Sequence, residues 1–145
     1  MNTIREAYEA CKAAKATELD VVVSFICNEA GDLLSGESVE SAVKSVSELG
    51  PAALSINCVS PRHVSAGLKR LQRSTSLPIM VYGNVGLPES DKHGWEFTHD
   101  VAETEYAQHA LRWRESGVSI IGGCCGTTPS YIRAVTKALD YAPVG

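Results

Sequence analysis

Four short runs of mostly apolar, often β-branched residues, separated by amphipathic segments, constrain the fold of this chain more than any other feature. The runs are Leu19–Cys27, Ala52–Asn57, Leu77–Tyr82 and Val118–Ile121. A nearly continuous apolar run of this length is typical of a strand that is covered on both faces, as in parallel sheets. The runs begin about 25 to 40 residues apart, which leaves room for one helix between consecutive strands. The pattern therefore predicts strand–helix repeats that form a parallel sheet.

The segments between the runs carry apolar residues at helical spacing. The first helix is predicted over residues 3–17, with Ile4, Tyr8, Cys11 and Ala14 facing inward. The inward positions of the later helices are Val39, Ala42, Val43, Val46 and Leu49, then Val64, Leu68 and Leu71, then Ala102, Tyr106, Ala110 and Trp113, and finally Ile132, Val135 and Leu139. Ser60 with Pro61 and Thr128 with Pro129 are predicted as helix starts, because these residues suit the N-cap and the first turn. A long loop is predicted from Gly83 to Phe97.

The resulting fold class is α/β, an initial helix followed by four parallel βα units. A chain of 145 residues is long enough for one core and too short for two independent domains, so residues 1–145 are predicted to be a single domain. Four such units suit a small open sheet or half of a TIM (βα)8 barrel, which normally needs about 250 residues. Periodicity alone does not separate these two architectures.

Charge and cysteine content exclude several classes of function. The chain has 13 Lys and Arg against 17 Asp and Glu, a net charge of −4, and no basic cluster of the kind that nucleic acid binding needs. It has no apolar run long enough to span a membrane, and its charged first residues do not resemble a signal peptide. Five cysteines, an odd number with two of them adjacent, suit a metal or catalytic role in the reducing cytoplasm better than a disulfide framework.

Three of the cysteines follow predicted strands, at the edge of the sheet where parallel α/β folds bind their ligands. Cys58 ends the second strand, and Cys124 and Cys125 follow the fourth within a Gly-Gly-Cys-Cys-Gly sequence. The glycines permit the sharp turn that two adjacent cysteines need to point at one ion. Three thiolates bind Zn²⁺ and leave a fourth position open, as in catalytic zinc sites. An incoming thiol would lose its proton there, so the site suits alkylation of a thiol better than hydrolysis.

The other candidate residues are predicted to have mainly structural roles. Cys11 is expected to fill the core, and Cys27, although it ends the first strand, is expected to pack beside the site rather than bind the ion. Asn84, just past the third strand, is predicted either as a turn residue or as part of the site. Solvent-exposed positions are expected for the four histidines, which are His63, His93, His99 and His109.

Three sequence motifs resemble the C-terminal half of the zinc-dependent homocysteine S-methyltransferase family. They are INC at 56–58, YGNVGLP at 82–88 and GGCCGTTP at 122–129. The family includes betaine–homocysteine methyltransferase and the homocysteine domain of cobalamin-dependent methionine synthase. The resemblance implies a half-barrel in which Cys58, Cys124 and Cys125 bind zinc. It also implies that the sulfur of homocysteine takes the open position and accepts a methyl group from a donor, which gives methionine.

The chain departs from the family pattern in two ways. Gly83-Asn84-Val85-Gly86 stands where the family usually has Pro-Asn-Ala-Gly, and the retained Asn84 is expected to line the substrate site. The family's barrel has eight strands, whereas this chain would hold only the last four and lack the half that recognises the substrate's amino group. A split or truncated enzyme is therefore expected, which would associate with itself or with a complementary N-terminal half-barrel. Two alternatives stay open, a non-catalytic zinc-binding half-barrel that needs a partner chain and a redox or metal-sensing protein that uses the vicinal thiols.

Overall fold

Four parallel strands form the central sheet of the computed structural model, which describes residues 1–86, 88–91, 94–97 and 100–140. The strands lie in sequence order and are β1 (Val22–Phe25), β2 (Ala53–Asn57), β3 (Ile79–Gly83) and β6 (Ile120–Gly123). All three pairings are parallel, which confirms the predicted sheet. A sheet whose strands keep their sequence order, joined by right-handed crossovers, carries all its helices on one face. That is the arrangement of half a (βα)8 barrel, because an open doubly wound sheet reverses its order and is covered on both faces.

Five helices accompany the strands within the described residues. They are α1 (Ile4–Lys15), α2 (Val39–Ser47), α3 (Val64–Ser74), α4 (Glu103–Glu115) and α5 (Pro129–Asp140). The first two begin at side-chain N-caps, since Thr3 Oγ1 accepts from the Glu6 N–H and Ser38 Oγ from the Ser41 N–H. The last begins at Pro129, as predicted from the Thr-Pro pair.

The core lies between the helices and one face of the sheet. Alternate strand residues point toward the helices and are buried, namely Val23 and Phe25, Leu54 and Ile56, and Ile79 and Val81. The opposite face is less covered, and Val22 and Ile120 on it are 44% and 43% exposed. It also contains Ser55, a buried residue whose Oγ has no hydrogen-bond partner among the described residues. The uncovered face corresponds to the inside of a barrel.

Several sequence predictions about local structure are wrong. Helix α3 begins at Val64 rather than Pro61, because residues 61–63 form a turn in which the His63 N–H donates to the Ser60 carbonyl at 2.8 Å. One inward position in each of two helices is wrong: Ala7 rather than Tyr8 is buried in α1, and Tyr131 rather than Ile132 in α5, whereas Cys11 and Val135 are buried as predicted. Periodicity places the apolar stripe of a helix only to within about one residue, and in these two helices the neighbouring position is the buried one.

The segment predicted as a loop from Gly83 to Phe97 contains an antiparallel hairpin. Its strands are β4 (Pro88–Asp91) and β5 (Gly94–Phe97). Both strands are only four residues long and β4 has no apolar alternation, so the pattern did not reveal the hairpin. Within the part of the chain that the structure describes, no helix is both long and apolar enough to cross a membrane.

Candidate metal centre

Three strand ends place the candidate residues at one edge of the sheet. Cys58 directly follows β2, Asn84 follows β3, and Cys124 follows β6 with Cys125 next to it. Strand β3 lies between β2 and β6, so the two cysteine segments meet across its carboxyl end. Parallel strands bring these ends together although the residues are 66 or 67 positions apart along the chain.

The sulfur atoms of the three cysteines converge. The distance between the Sγ atoms of Cys58 and Cys125 is 3.3 Å, and that between Cys124 and Cys125 is 3.8 Å. All three sulfurs lie within 4.8 Å of one another, and all three residues are partly buried free thiols. Sulfurs bound at about 2.3 Å to one tetrahedral zinc ion are about 3.8 Å apart. The donor set therefore fits a tetrahedral metal ion with three thiolate ligands.

The backbone at Cys58 is left-handed, which is unusual for a residue other than glycine. Its φ is +56°, and its N–H donates to the Tyr82 carbonyl at 3.0 Å. This conformation costs about 1 kcal/mol or more for a residue with a side chain and is often found at functional sites. The turn ends the regular alternation of β2 and allows the sulfur to join those of Cys124 and Cys125.

A network of backbone hydrogen bonds holds the Cys124–Cys125 segment against β3. The Cys124 N–H donates to the Gly83 carbonyl at 2.9 Å, and the Cys125 carbonyl accepts from the Val85 N–H at 3.0 Å. The Thr127 hydroxyl donates to the Cys124 carbonyl at 2.6 Å. A methyl group on Gly123 would lie 2.5 Å from Thr127 Oγ1, so only glycine fits at this position. The glycines in this sequence thus permit close packing as well as a turn.

Asn84 lies beside Cys58 and is fixed by two hydrogen bonds. Its backbone N–H donates to the Val59 carbonyl at 3.1 Å, and its side-chain Nδ2 donates to the Cys58 carbonyl at 3.3 Å. It also lines a cleft of about 680 Å³ that opens next to Cys58. Other polar residues of this cleft are Asn28, Glu29, Arg62, His63 and Asp100. The cleft is large enough to admit a small amino acid next to the sulfurs.

The local electrostatics favour a protonated thiol at Cys58 until a cation binds. Burial, together with hydrogen bonding to the thiols of Cys124 and Cys125, raises the pKa of Cys58 to about 12. Deprotonation of neighbouring thiols would place like charges only a few ångströms apart, which costs free energy. A divalent cation reverses this balance because it stabilises each thiolate.

Sequence reasoning missed one residue at this site. Tyr106 of α4 was predicted only as a core position, yet its hydroxyl donates to the Gly122 carbonyl at 2.7 Å and accepts from the Gly83 N–H at 3.0 Å. Burial raises the pKa of this hydroxyl, so it remains a donor. The signal in the sequence was a tyrosine, rather than phenylalanine, at an inward helical position, because a buried hydroxyl needs a partner.

The remaining described candidates are not members of the three-sulfur group. Cys11 is buried in the core, as expected, and Cys27 is buried and lines the same cleft as Cys58. His63 is half exposed, as expected, and lies 3.7 Å from Glu29. The expected exposure of His109 is wrong, because its side chain is only 12% exposed and packs beside Trp113 on α4. Burial, aided by Arg112, lowers the pKa of His109, so it is neutral near pH 7. His93 and His99 lie outside the described residues.

The chain is similar in sequence to known proteins. A sequence model of the family described as Homocysteine S-methyltransferase matches residues 1–139. Homocysteine S-methyltransferase 2 of Arabidopsis thaliana is 32% identical over 118 residues, covering 80% of this chain and 35% of the relative. Methionine synthase of Mycobacterium tuberculosis is 35% identical over 111 residues, covering 75% of this chain and 9% of the relative.

Among solved structures, the homocysteine methyltransferase MmuM of Escherichia coli, in its metallated form, superposes with a TM-score of 0.76. The identity is 24%, and the match covers 94% of this chain and 42% of that one, so the likeness establishes the fold. The chain spans well under half the length of each of these three proteins.

Proposed function

The chain belongs to the homocysteine S-methyltransferase family, and from that premise we propose that residues 1–145 are the carboxyl-terminal half-barrel of a zinc-dependent homocysteine S-methyltransferase. The complete domain would transfer a methyl group to the thiolate of homocysteine and release methionine. The observation that carries the proposal is the convergence of the Cys58, Cys124 and Cys125 sulfurs within 4.8 Å of one another. The description of the similar Escherichia coli enzyme as metallated supports it.

The chemistry of the donor set favours zinc. Three cysteine sulfurs form a soft ligand set, which selects zinc over magnesium or calcium, and a set of three leaves one position for substrate. Bound zinc would stabilise the incoming homocysteine sulfur as a thiolate at neutral pH. Cys58, Cys124 and Cys125 would each bind as thiolates, so the protein would supply three negative charges and keep the substrate sulfur electron-rich. A reducing compartment such as the cytoplasm would keep these free thiols available.

The surrounding residues have distinct roles in this proposal. Asn84 would contact the substrate beside Cys58, since its side chain is fixed there by the bond to the Cys58 carbonyl. The N-terminus of α5 follows Cys125 closely, and its dipole favours negative charge nearby. The cleft next to Cys58 would admit homocysteine or the methyl donor. The reaction would need no further general base, because a bound zinc ion would lower the pKa of the acceptor thiol and its proton would leave to solvent.

Completion of the barrel requires a second half. Within the described residues, the outer edge of β6 pairs with no strand, and the outer edge of β1 is met only by Met1, whose ammonium donates to the Ser24 carbonyl. Val22 and Ile120 are exposed on the uncovered face, which also carries Ser55. Unpaired edges of this kind favour association. A complementary N-terminal half-barrel, or a second copy of this chain, would cover the face and close the edges.

The test is the coordination of zinc in the purified chain, measured by X-ray absorption with and without homocysteine. We expect about one zinc ion per chain with three sulfur ligands, and a fourth sulfur after homocysteine is added. Methionine, which has no free thiol, is the matched control ligand and should leave the coordination unchanged. Failure to bind zinc, or an unchanged sulfur count with homocysteine, would overturn the proposal.

Turnover separates the enzyme from its alternatives. We expect little or no methionine from the isolated chain, and methionine formation once an N-terminal half-barrel is supplied together with a methyl donor. Zinc binding without turnover in that complex would instead identify a non-catalytic zinc-binding subunit. A chain that binds no zinc but forms a reversible disulfide among the three cysteines would identify a redox protein.

A further inference from the structure

We propose that Tyr106 is a positioning residue for the three-cysteine site, because its hydroxyl joins the carboxyl ends of β3 and β6 and so fixes the distance between Cys58 and the Cys124–Cys125 pair. The inference rests on the proposed metal-binding function of these cysteines. This role follows from the hydrogen bonds of one buried side chain.

The Tyr106 hydroxyl replaces a backbone partner at the point where two strands end. It accepts from the Gly83 N–H at 3.0 Å and donates to the Gly122 carbonyl at 2.7 Å. Gly83 is the last residue of β3, and Gly122 is the second-last residue of β6. The side chain therefore ties together the ends of two neighbouring strands, directly before the segments that carry Asn84 and Cys124.

Gly83 links the tyrosine to the sulfurs on both sides. Its carbonyl accepts from the Cys124 N–H at 2.9 Å, which holds the Cys124–Cys125 segment. Tyr82, the preceding residue, provides the carbonyl that accepts from the Cys58 N–H at 3.0 Å. Each cysteine segment is thus one hydrogen bond away from the end of β3, and Tyr106 fixes that end relative to β6.

The hydroxyl of Tyr106, rather than its aromatic ring, is the group that positions the strand ends. The Tyr106 ring packs edge-on against Trp113 and Tyr131, with ring centroids 5.6 Å and 6.0 Å away. Phenylalanine would keep those contacts and lose only the hydrogen bonds of the hydroxyl. A metal site tolerates ligand displacements of only about 0.2 Å, and loss of an outer hydrogen bond typically lowers metal affinity by about 10-fold to 100-fold.

The test compares Tyr106→Phe with Tyr131→Phe as a matched control. Tyr131 is also buried, and its hydroxyl donates to the Val101 carbonyl at 2.8 Å, but it does not touch the strand ends. Both variants lose a buried hydroxyl and keep a ring of the same shape. Zinc affinity is measured by chelator competition, and the geometry of the sulfur ligands by the thiolate-to-metal absorption bands of the cobalt(II)-loaded chain.

We expect Tyr106→Phe to lower zinc affinity by at least about 10-fold and to shift the cobalt bands, and Tyr131→Phe to stay within about twofold of the unaltered chain. Thermal unfolding of both metal-free variants provides the second measurement, because a merely structural hydroxyl would lower stability without changing the cobalt bands. Unchanged affinity and bands in Tyr106→Phe, or equal losses in both variants, would overturn the positioning role alone. Failure of the unaltered chain to bind zinc would overturn the proposed function as well.

Discussion

Cys27 and Cys58 occupy equivalent positions on adjacent strands and yet have different environments. Each lies two residues beyond a pair that the sheet register aligns, Phe25 on β1 and Ile56 on β2. Cys27 is only 5% exposed, pairs with Leu33 in an antiparallel bridge and points toward α3, where an added methyl group on Gly67 would lie 3.0 Å from its sulfur. Cys58 has a φ of +56°, and its sulfur lies 3.3 Å from that of Cys125.

The difference shows that position at a strand end does not by itself define a site residue. A cysteine that continues the strand's alternation enters the core and behaves as a small apolar side chain. A cysteine in a left-handed turn leaves that alternation and becomes available to a ligand. Burial raises the pKa of both thiols, to about 11 for Cys27 and about 12 for Cys58. Only Cys58 has neighbouring thiols with which it can share a cation.

The largest effect is expected from removal of one sulfur of the three. Cys58→Ala and Cys124→Ala should each lower zinc affinity by about a hundredfold or more, because the ligand set of such sites contributes roughly 10 kcal/mol in total. Zinc per chain is measured by mass spectrometry after dialysis against a chelator. Cys27→Ala is the matched control and should keep its zinc. Retention of zinc in Cys124→Ala would contradict the assignment of the site.

An intermediate effect is expected when the buried sulfur of Cys27 is replaced by a hydroxyl oxygen. Cys27→Ser places a hydroxyl in an apolar environment, which should lower the free energy of unfolding of the metal-free chain by about 1–3 kcal/mol. Cys58→Ser should change it by less than about 1 kcal/mol, since this side chain is partly exposed. Urea unfolding measures both. Equal destabilisation by the two substitutions would mean that the two positions do not differ as described.

The same buried thiol should also make the stability of the chain depend on pH. Burial raises the pKa of Cys27 to about 11 from an ordinary value of 9.0, although the nearby Arg70 opposes the shift. From about pH 9 to pH 11 the folded metal-free chain keeps this proton while the unfolded chain has lost it, so stability falls as the pH rises.

The variant Cys27→Ala should lose less stability than the unaltered chain over the same pH range. The buried tyrosines titrate in both proteins, so the difference between the two curves isolates the thiol. Parallel curves would show that Cys27 is solvated in the folded chain.

Much of the fold was predictable because it depends on the chemical character of consecutive residues. Apolar β-branched runs indicated all four parallel strands, although β1 is shorter than the predicted run Leu19–Cys27. The hairpin formed by β4 and β5 was not predicted, because its strands are only four residues long and β4 has no apolar alternation. The sequence pattern also placed Ile132, rather than Tyr131, on the inner face of α5. Periodicity defines the apolar stripe of a helix only to within about one residue.

The three candidate ligands were predicted from adjacent cysteines between glycines and from the resemblance of the surrounding motifs. The sequence alone determined which residues could bind a soft metal ion, because thiol chemistry and glycine conformation are properties of individual residues. The tertiary structure supplied the physical reason that Cys58 meets the pair while Cys27 packs in the core, and it alone placed Tyr106 behind them. Those facts depend on register, on one left-handed turn and on the contact of a helix with two strand ends, all of which arise from interactions between residues far apart in the chain.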